Sequence, residues 1–346
     1  MDCYSKILIR ATNWVGDAVM SAPALSAIRR RFPTAEMVAL ARPWVADIYA
    51  GEKSIDRVIR YLPAGGFRDW GAKWALAQAL RRERFDCAIL LQNAFEAALL
   101  ARLAGIPKRI GYDRDGRGWL LTDAIPVPRR GDIPRHERFY YLELLRRAGI
   151  LDEIPPSEGI RLDGIAPAAA RGLERFRELG IAAPVIGVSP GAAYGGAKRW
   201  LAEGFAAAAS SVAREQEARV ALFGSDAERA LCDTIAEEIR GTGVAAINMA
   251  GRTTLREFID LAAACRLFLT NDSGAMHIAS AAGVRTVAIF GATDEDATGP
   301  TGPLARVVRE KVECSPCLLR ECPIDHRCMT RVGPERVAGA ARDLLR

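Results

Sequence analysis

Short, continuous runs of aliphatic and β-branched residues recur along the chain and alternate with longer stretches whose apolar positions return every three or four residues. The first pattern suits strands buried on both faces and the second suits amphipathic helices, so the alternation predicts βαβ units and parallel sheets. Strands are expected at 6–11, 37–41, 57–62, 87–92 and 109–112, and again at 185–190, 219–224, 245–249, 267–271 and 286–291. Between the two sets, residues 125–167 are rich in proline and hold one helical segment, 136–148. The expected architecture is therefore α/β, with one Rossmann-like domain over 1–160 and a second over 161–333. Facing domains of this kind place a ligand cleft at the carboxyl ends of both sheets.

The 346 residues are half hydrophobic and about a quarter charged, which excludes disordered and fibrous classes. No apolar run approaches the ~18 residues of a membrane span. The start lacks a signal-peptide core and cleavage site, so a cytoplasmic protein is expected. Net charge is +6, and its placement matters more than its size. Residues 1–160 carry 25 Lys and Arg against 19 Asp and Glu, whereas 161–346 carry 23 of each. The excess lies entirely in the first half, which predicts an anionic partner there. Arginine makes up 42 of the 48 basic residues, a choice that suits phosphate and carboxylate recognition or reflects coding bias.

Three strand-to-helix turns carry candidate chemistry. Asn13-Trp14-Val15-Gly16-Asp17 follows the first strand, where Asp17 either caps the next helix or presents a carboxylate as general base. Ser189-Pro190-Gly191 through Lys198-Arg199-Trp200 combines small residues with fixed positive charge, which suits a diphosphate or a solvated connection. It lacks the Gly-Lys-[Ser/Thr] of a Walker loop. Asn271-Asp272-Ser273-Gly274-Ala275-Met276-His277 opens a helix whose amides and Ser273 hydroxyl can receive phosphate oxygens. His277 is either a further donor or a core histidine.

Two other segments look chemical. Asp294-Glu295-Asp296 reads as a solvated acidic loop rather than a metal motif. Cys314, Cys317, Cys322 and Cys328, with His326 between, fit a structural metal site, labile disulfides or free thiols in a compact loop. Only the first pair has tight knuckle spacing, and a lasting disulfide is disfavoured in a reducing compartment.

Taken together and in this order, these motifs resemble the ADP-heptose:lipopolysaccharide heptosyltransferases. The likeness also rests on Phe290-Gly-Ala-Thr293 and Thr298-Gly-Pro300, while Gly111 to Thr122 and the cysteine-rich run are similar to the heptosyltransferase II branch. The resemblance implies the GT-B fold, with a terminal helix at 334–346 that crosses back onto the first domain. It implies inverting transfer of heptose from ADP-L-glycero-β-D-manno-heptose to the first heptose of the lipopolysaccharide inner core, on a lipid-anchored, anionic acceptor at the inner face of the inner membrane. Asp17 becomes the general base and Lys198 the group that stabilises the leaving ADP. Donor contacts are implied for Ser189, Gly191, Lys198, Glu228, Thr253, Asp272, Ser273, Gly274 and His277, with Met249 beside the adenine. Asn13, Arg60, Arg68, Arg114 and Arg117 are implied as acceptor ligands, with Arg138 a further candidate. No catalytic metal or other cofactor is required. The competing readings are heptosyltransferase I or another paralogue with a different acceptor, or a non-catalytic sugar-nucleotide binder. Epimerases and dehydrogenases also use two Rossmann-like domains, but the dinucleotide fingerprint G-x-G-x-x-G is missing from the first turn.

Overall fold

The computed structural model describes residues 4–62, 69–154 and 159–346. Arg68, one of the expected acceptor ligands, lies outside them. The chain divides into two compact units, 1–157 and 158–346.

In the first unit the strands are β1 (Lys6–Arg10), β2 (Glu36–Ala41), β3 (Arg57–Arg60), β4 (Cys87–Leu90), β5 (Lys108–Tyr112) and β6 (Asp123–Ile125). All pair in parallel, in the order β3-β2-β1-β4-β5-β6. The helices are α1 (Val15–Met20), α2 (Ala22–Arg31), α3 (Pro43–Gly51), α4 (Trp70–Arg82), α5 (Phe95–Leu103) and α6 (Arg138–Arg147). Ile7, Leu8 and Ile9 of β1 are wholly buried, as an interior strand of a sheet covered on both faces must be.

The second unit repeats the plan. Its strands are β7 (Val185–Ser189), β8 (Arg219–Leu222), β9 (Ala246–Asn248), β10 (Leu267–Asn271), β11 (Arg285–Phe290) and β12 (Ala305–Arg309). They are again all parallel, in the order β12-β11-β10-β7-β8-β9. Its helices are α7 (Ile165–Glu178), α8 (Ala202–Glu215), α9 (Arg229–Gly241), α10 (Leu255–Ala263), α11 (Gly274–Ala281), α12 (Glu295–Thr298), α13 (Arg327–Thr330) and α14 (Pro334–Leu345).

Every strand expected from the sequence is present, and each sheet gains one more at an edge, β6 and β12. The acidic run expected as a solvated loop instead starts a helix: Asp294 caps α12 by accepting from the amide of Asp296 (3.1 Å), and Glu295 pairs with Arg309. The terminal helix, expected to cross back onto the first domain, packs on α8, β11 and β12 of its own unit. Its apolar stripe, Val337, Ala338, Ala341 and Leu344, completes that unit's core, and Arg342 pairs with Glu215 at 2.8 Å. None of the helices among the described residues is long and apolar enough to cross a membrane.

Both sheets reverse their strand order beside the first strand of the unit, between β1 and β4 and between β7 and β10. Connections leaving two such neighbours run in opposite directions and leave a crevice outside the carboxyl ends of the strands. The candidate turns lie at these two points.

Candidate active-site elements

In the second unit the loop after β7 and the turn after β10 are stitched together. Asn271 is fully buried; its side-chain amide donates to the Pro190 carbonyl (2.6 Å) and its Oδ1 accepts from the Trp200 amide (3.0 Å). Lys198 Nζ donates to Asp272 Oδ2 at 2.6 Å, and the Thr293 hydroxyl donates to the same oxygen at 2.6 Å. Asp272 is only 4% exposed. A buried carboxylate holding an ammonium and a hydroxyl on one oxygen fixes the cation in place instead of leaving it to sweep through solvent. The ammonium also stands over the Tyr194 ring, 4.9 Å from its centroid.

The turn continues into α11, where Ser273 occupies the N-cap and accepts from the Met276 amide at 3.5 Å. Gly274 is the first residue of this helix, and His277 is buried one turn in. Glu228 closes another side of the loop. A Cβ at Gly191 would meet Glu228 Oε1 at 1.9 Å, so glycine there is what lets the carboxylate approach. Its other oxygen accepts from the amide and hydroxyl of Ser225 (2.8 and 2.9 Å), a capping-box role at the start of α9. Ser189 is buried at the end of β7. Met249 and Thr253 flank the turn whose Gly251 amide donates to the Gly224 carbonyl (2.9 Å), next to the Glu228 segment; Met249 is buried and Thr253 half-buried. The structure thus gathers Gly191, Lys198, Glu228, Asp272 and Ser273 around the β7–β10 crevice, with Thr253 and His277 on adjoining elements.

Sequence reasoning overlooked what supports Lys198. The cysteine-rich segment lies across the 194–198 loop as a strap. The Tyr194 hydroxyl donates to the Leu318 carbonyl (2.8 Å), the Ala197 amide to the Arg320 carbonyl (2.9 Å) and the Gly196 amide to Glu321 Oε1 (3.0 Å). His326 Nε2 donates to the Ala197 carbonyl at 3.0 Å, and the Arg320 guanidinium lies 5.4 Å from the Tyr194 ring centroid. The four thiols are free, with Cys328 buried and Cys314 exposed. Burial, and then the three neighbouring thiols, push the Cys328 thiol up. Among the described residues no group of three or more His, Cys, Asp or Glu side chains is placed to hold a metal ion.

In the first unit, Asp17 is the third residue of α1, and the N-cap position falls to Trp14. The carboxylate lies close enough to Glu137, Tyr141 and Tyr49 to push the proton affinity of each upward, adding to burial, the larger cause in all three. Glu137, which precedes α6, is thus a second carboxyl group beside Asp17, held above the usual range. No motif announced it. The Asn13 carbonyl accepts from Trp44 Nε1 (2.8 Å), while its Oδ1 is buried without a hydrogen-bond partner among the described residues.

The arginines separate. Arg60 at the end of β3 is exposed and pairs with Asp47 (2.5 Å), and Arg114 is exposed beside Asp115 (3.6 Å). Arg138 lies over the Phe139 ring, and burial pulls it down from the usual arginine range. Arg117, expected as an acceptor ligand, is wholly buried. Its guanidinium donates to the carbonyls of Tyr112 (2.9 Å) and Gln92 and to Asn93 Oδ1 (3.2 Å). Burial brings it down to about 10. With its fork committed to the connections after β4 and β5, Arg117 is a structural brace rather than a ligand.

With this geometry in hand, comparison with known proteins is direct. The model of glycosyltransferase family 9 (heptosyltransferase) matches residues 73–327. Lipopolysaccharide heptosyltransferase 2 of Escherichia coli is 32% identical, over 88% of both chains. Lipopolysaccharide heptosyltransferase 1 of Pseudomonas aeruginosa is 23% identical, over 98% of both. The solved E. coli ADP-heptose lipopolysaccharide heptosyltransferase II superimposes with a TM-score of 0.82 at 29% identity, covering 98% of each chain. The two parallel sheets are those of the GT-B fold. This chain belongs to glycosyltransferase family 9, the heptosyltransferases.

Proposed function

We propose that the chain transfers heptose, with inversion, from ADP-L-glycero-β-D-manno-heptose to the first heptose of the lipopolysaccharide inner core, the heptosyltransferase II reaction. Heptosyltransferases 2 match at higher identity than a heptosyltransferase 1, which favours this branch. The observation that carries the mechanism is the Lys198–Asp272–Thr293 group beside the start of α11. As the bond from the anomeric carbon to the diphosphate oxygen breaks, negative charge grows on ADP, and a fixed ammonium with helix N-terminal amides stabilises that charge without reorganising. Ser189, Gly191 and His277 border this phosphate subsite. Glu228 takes the ribose hydroxyls, and Thr253 lies toward the base.

Asp17 accepts the proton of the acceptor hydroxyl as its oxygen bonds to the anomeric carbon. Glu137 raises the cost of a second negative charge beside Asp17, which favours proton uptake by the pair. Asn13, Arg60 and Arg114 hold the anionic acceptor. Because that acceptor is lipid-anchored, the enzyme works peripherally at the cytoplasmic face of the inner membrane.

The test is incubation of the purified chain with ADP-heptose and a heptosyl-Kdo2-lipid A acceptor. We expect transfer that persists in EDTA, falls by about two to four orders of magnitude in Asp17→Ala, and loses at least about tenfold in kcat in Lys198→Ala. Undiminished transfer by Asp17→Ala, or a Lys198→Ala effect confined to KM, would overturn the assignments.

A further inference from the structure

Five of the six tryptophans, Trp14, Trp44, Trp70, Trp74 and Trp119, are 50–67% exposed, and all belong to the first unit. Large aromatic side chains are normally the first to be buried, so five left open in one unit form an apolar surface that calls for a partner. They are not scattered. Trp14 opens α1 just after β1, Trp44 lies in the first turn of α3 just after β2, and Trp70 and Trp74 stand one turn apart at the start of α4. Trp119 falls in the connection after β5, within 6.3 Å of Phe95 at the start of α5. Since all six strands run in parallel, these positions share the carboxyl edge of the sheet.

Direct contacts join most of them. Trp44 donates to the Asn13 carbonyl (2.8 Å), and the Arg42 guanidinium lies 5.7 Å from its ring centroid. Arg42 and Lys73 both reach Glu96 (3.8 and 3.6 Å), which is next to Phe95 and hence to Trp119. The outcome is one rim in which exposed indole rings flank Arg42 and Lys73, whose side chains are only 13% and 12% exposed beside Glu96. Arg60 and Arg114, both exposed, extend it.

We propose that this rim docks on the interfacial layer of an anionic lipid bilayer, the indoles entering the headgroup zone and the basic side chains meeting lipid phosphates. Tryptophan prefers that zone because its ring is apolar and its N–H still needs a polar partner. The charge is complementary, for the half of the chain that bears the rim holds the whole +6. A second copy fits less well, because a two-fold contact would set the cations of the rim against themselves. The inference deepens the proposed function, in that a lipid-anchored acceptor is reached from a bilayer surface. Its test needs neither donor nor acceptor, so the two can fail separately.

The experiment is flotation of the full chain with vesicles of phosphatidylcholine alone or with about 30 mol% phosphatidylglycerol. The wild type should float with the anionic vesicles. Trp70→Ser/Trp74→Ser, on an exposed stretch of α4, should weaken partitioning by about tenfold with an unchanged Tm. That variant should transfer normally to a de-acylated, water-soluble acceptor and more slowly to the same acceptor in vesicles. The proposal falls if the wild type ignores anionic vesicles or the variant binds them equally. An equal loss on the soluble acceptor would overturn it in favour of saccharide stacking. A concentration-dependent dimer abolished by the variant would overturn it in favour of self-association.

Discussion

Replacing Asp272 should separate the chemistry of Lys198 from its support. Asp272 Oδ2 receives both Lys198 Nζ and the Thr293 hydroxyl at 2.6 Å, and the carboxylate is almost fully buried. Removing one partner of a buried ion pair costs roughly 3–5 kcal/mol, because the other charge is stranded. Asp272→Ala should fall in that range. Asp272→Asn keeps a carbonyl oxygen for Thr293 and so recovers about 1 kcal/mol. At roughly 2–4 °C per kcal/mol for a unit of this size, the alanine variant should melt about 6–20 °C lower. The double variant Lys198→Met/Asp272→Leu removes both charges and should be more stable than Asp272→Ala alone, a non-additivity above about 1 kcal/mol. Differential scanning calorimetry of these proteins, together with the single variants Lys198→Met and Asp272→Leu that close the cycle, measures this directly. A drop below about 1 °C for Asp272→Ala, or simple additivity in the double variant, would refute the claim that Asp272 holds Lys198.

Three further outcomes are expected. Arg117→Met leaves the Tyr112 and Gln92 carbonyls without their buried donor, so it should lower stability by about 2–5 kcal/mol in denaturant titration with no selective rise in acceptor KM. Glu137 is held above its usual range first by burial and then by Asp17, so its contribution is fully present below the unfolded value and is lost as pH rises through the folded one. Melting curves should therefore show Glu137→Gln gaining on wild type between pH 4 and pH 8, and a gap independent of pH would contradict this. Gly195→Ala would bring a Cβ to 2.2 Å from the Arg320 carbonyl oxygen, so the strap must shift. Its kcat should fall while the sheet signal in circular dichroism is unchanged.

The interior strands were legible because burial on both faces demands unbroken apolar runs such as Ile7-Leu8-Ile9 and Leu267-Phe268-Leu269. Two of the four edge strands, β6 and β12, were not: Ala305-Arg306-Val307-Val308-Arg309 is partly open to solvent and interleaves arginine with valine, a composition that loops share. The turns after β7 and β10 stood out through glycine, lysine and the Asp-Ser-Gly cap. Arg117 misled because an arginine in a polar loop reads the same whether its guanidinium faces a ligand or turns inward onto carbonyls. The strap left little trace because it is held largely through the backbone carbonyls of Leu318, Arg320 and Ala197, and every residue type has one. Thr293 lay within a noted motif, yet only the fold brings its hydroxyl to Asp272.

The strap also bears on the order in which the enzyme is made. His326 lies 129 residues beyond the loop it fastens, an interval that takes roughly 6–26 s to translate. During that time a nascent chain holds Lys198 without the segment that secures it, and the last core helix, α14, has yet to emerge. The Lys198 loop is therefore completed by residues made well after it. Cutting the chain before residue 330, or anchoring a bulky fusion close to that residue, acts on the Lys198 loop.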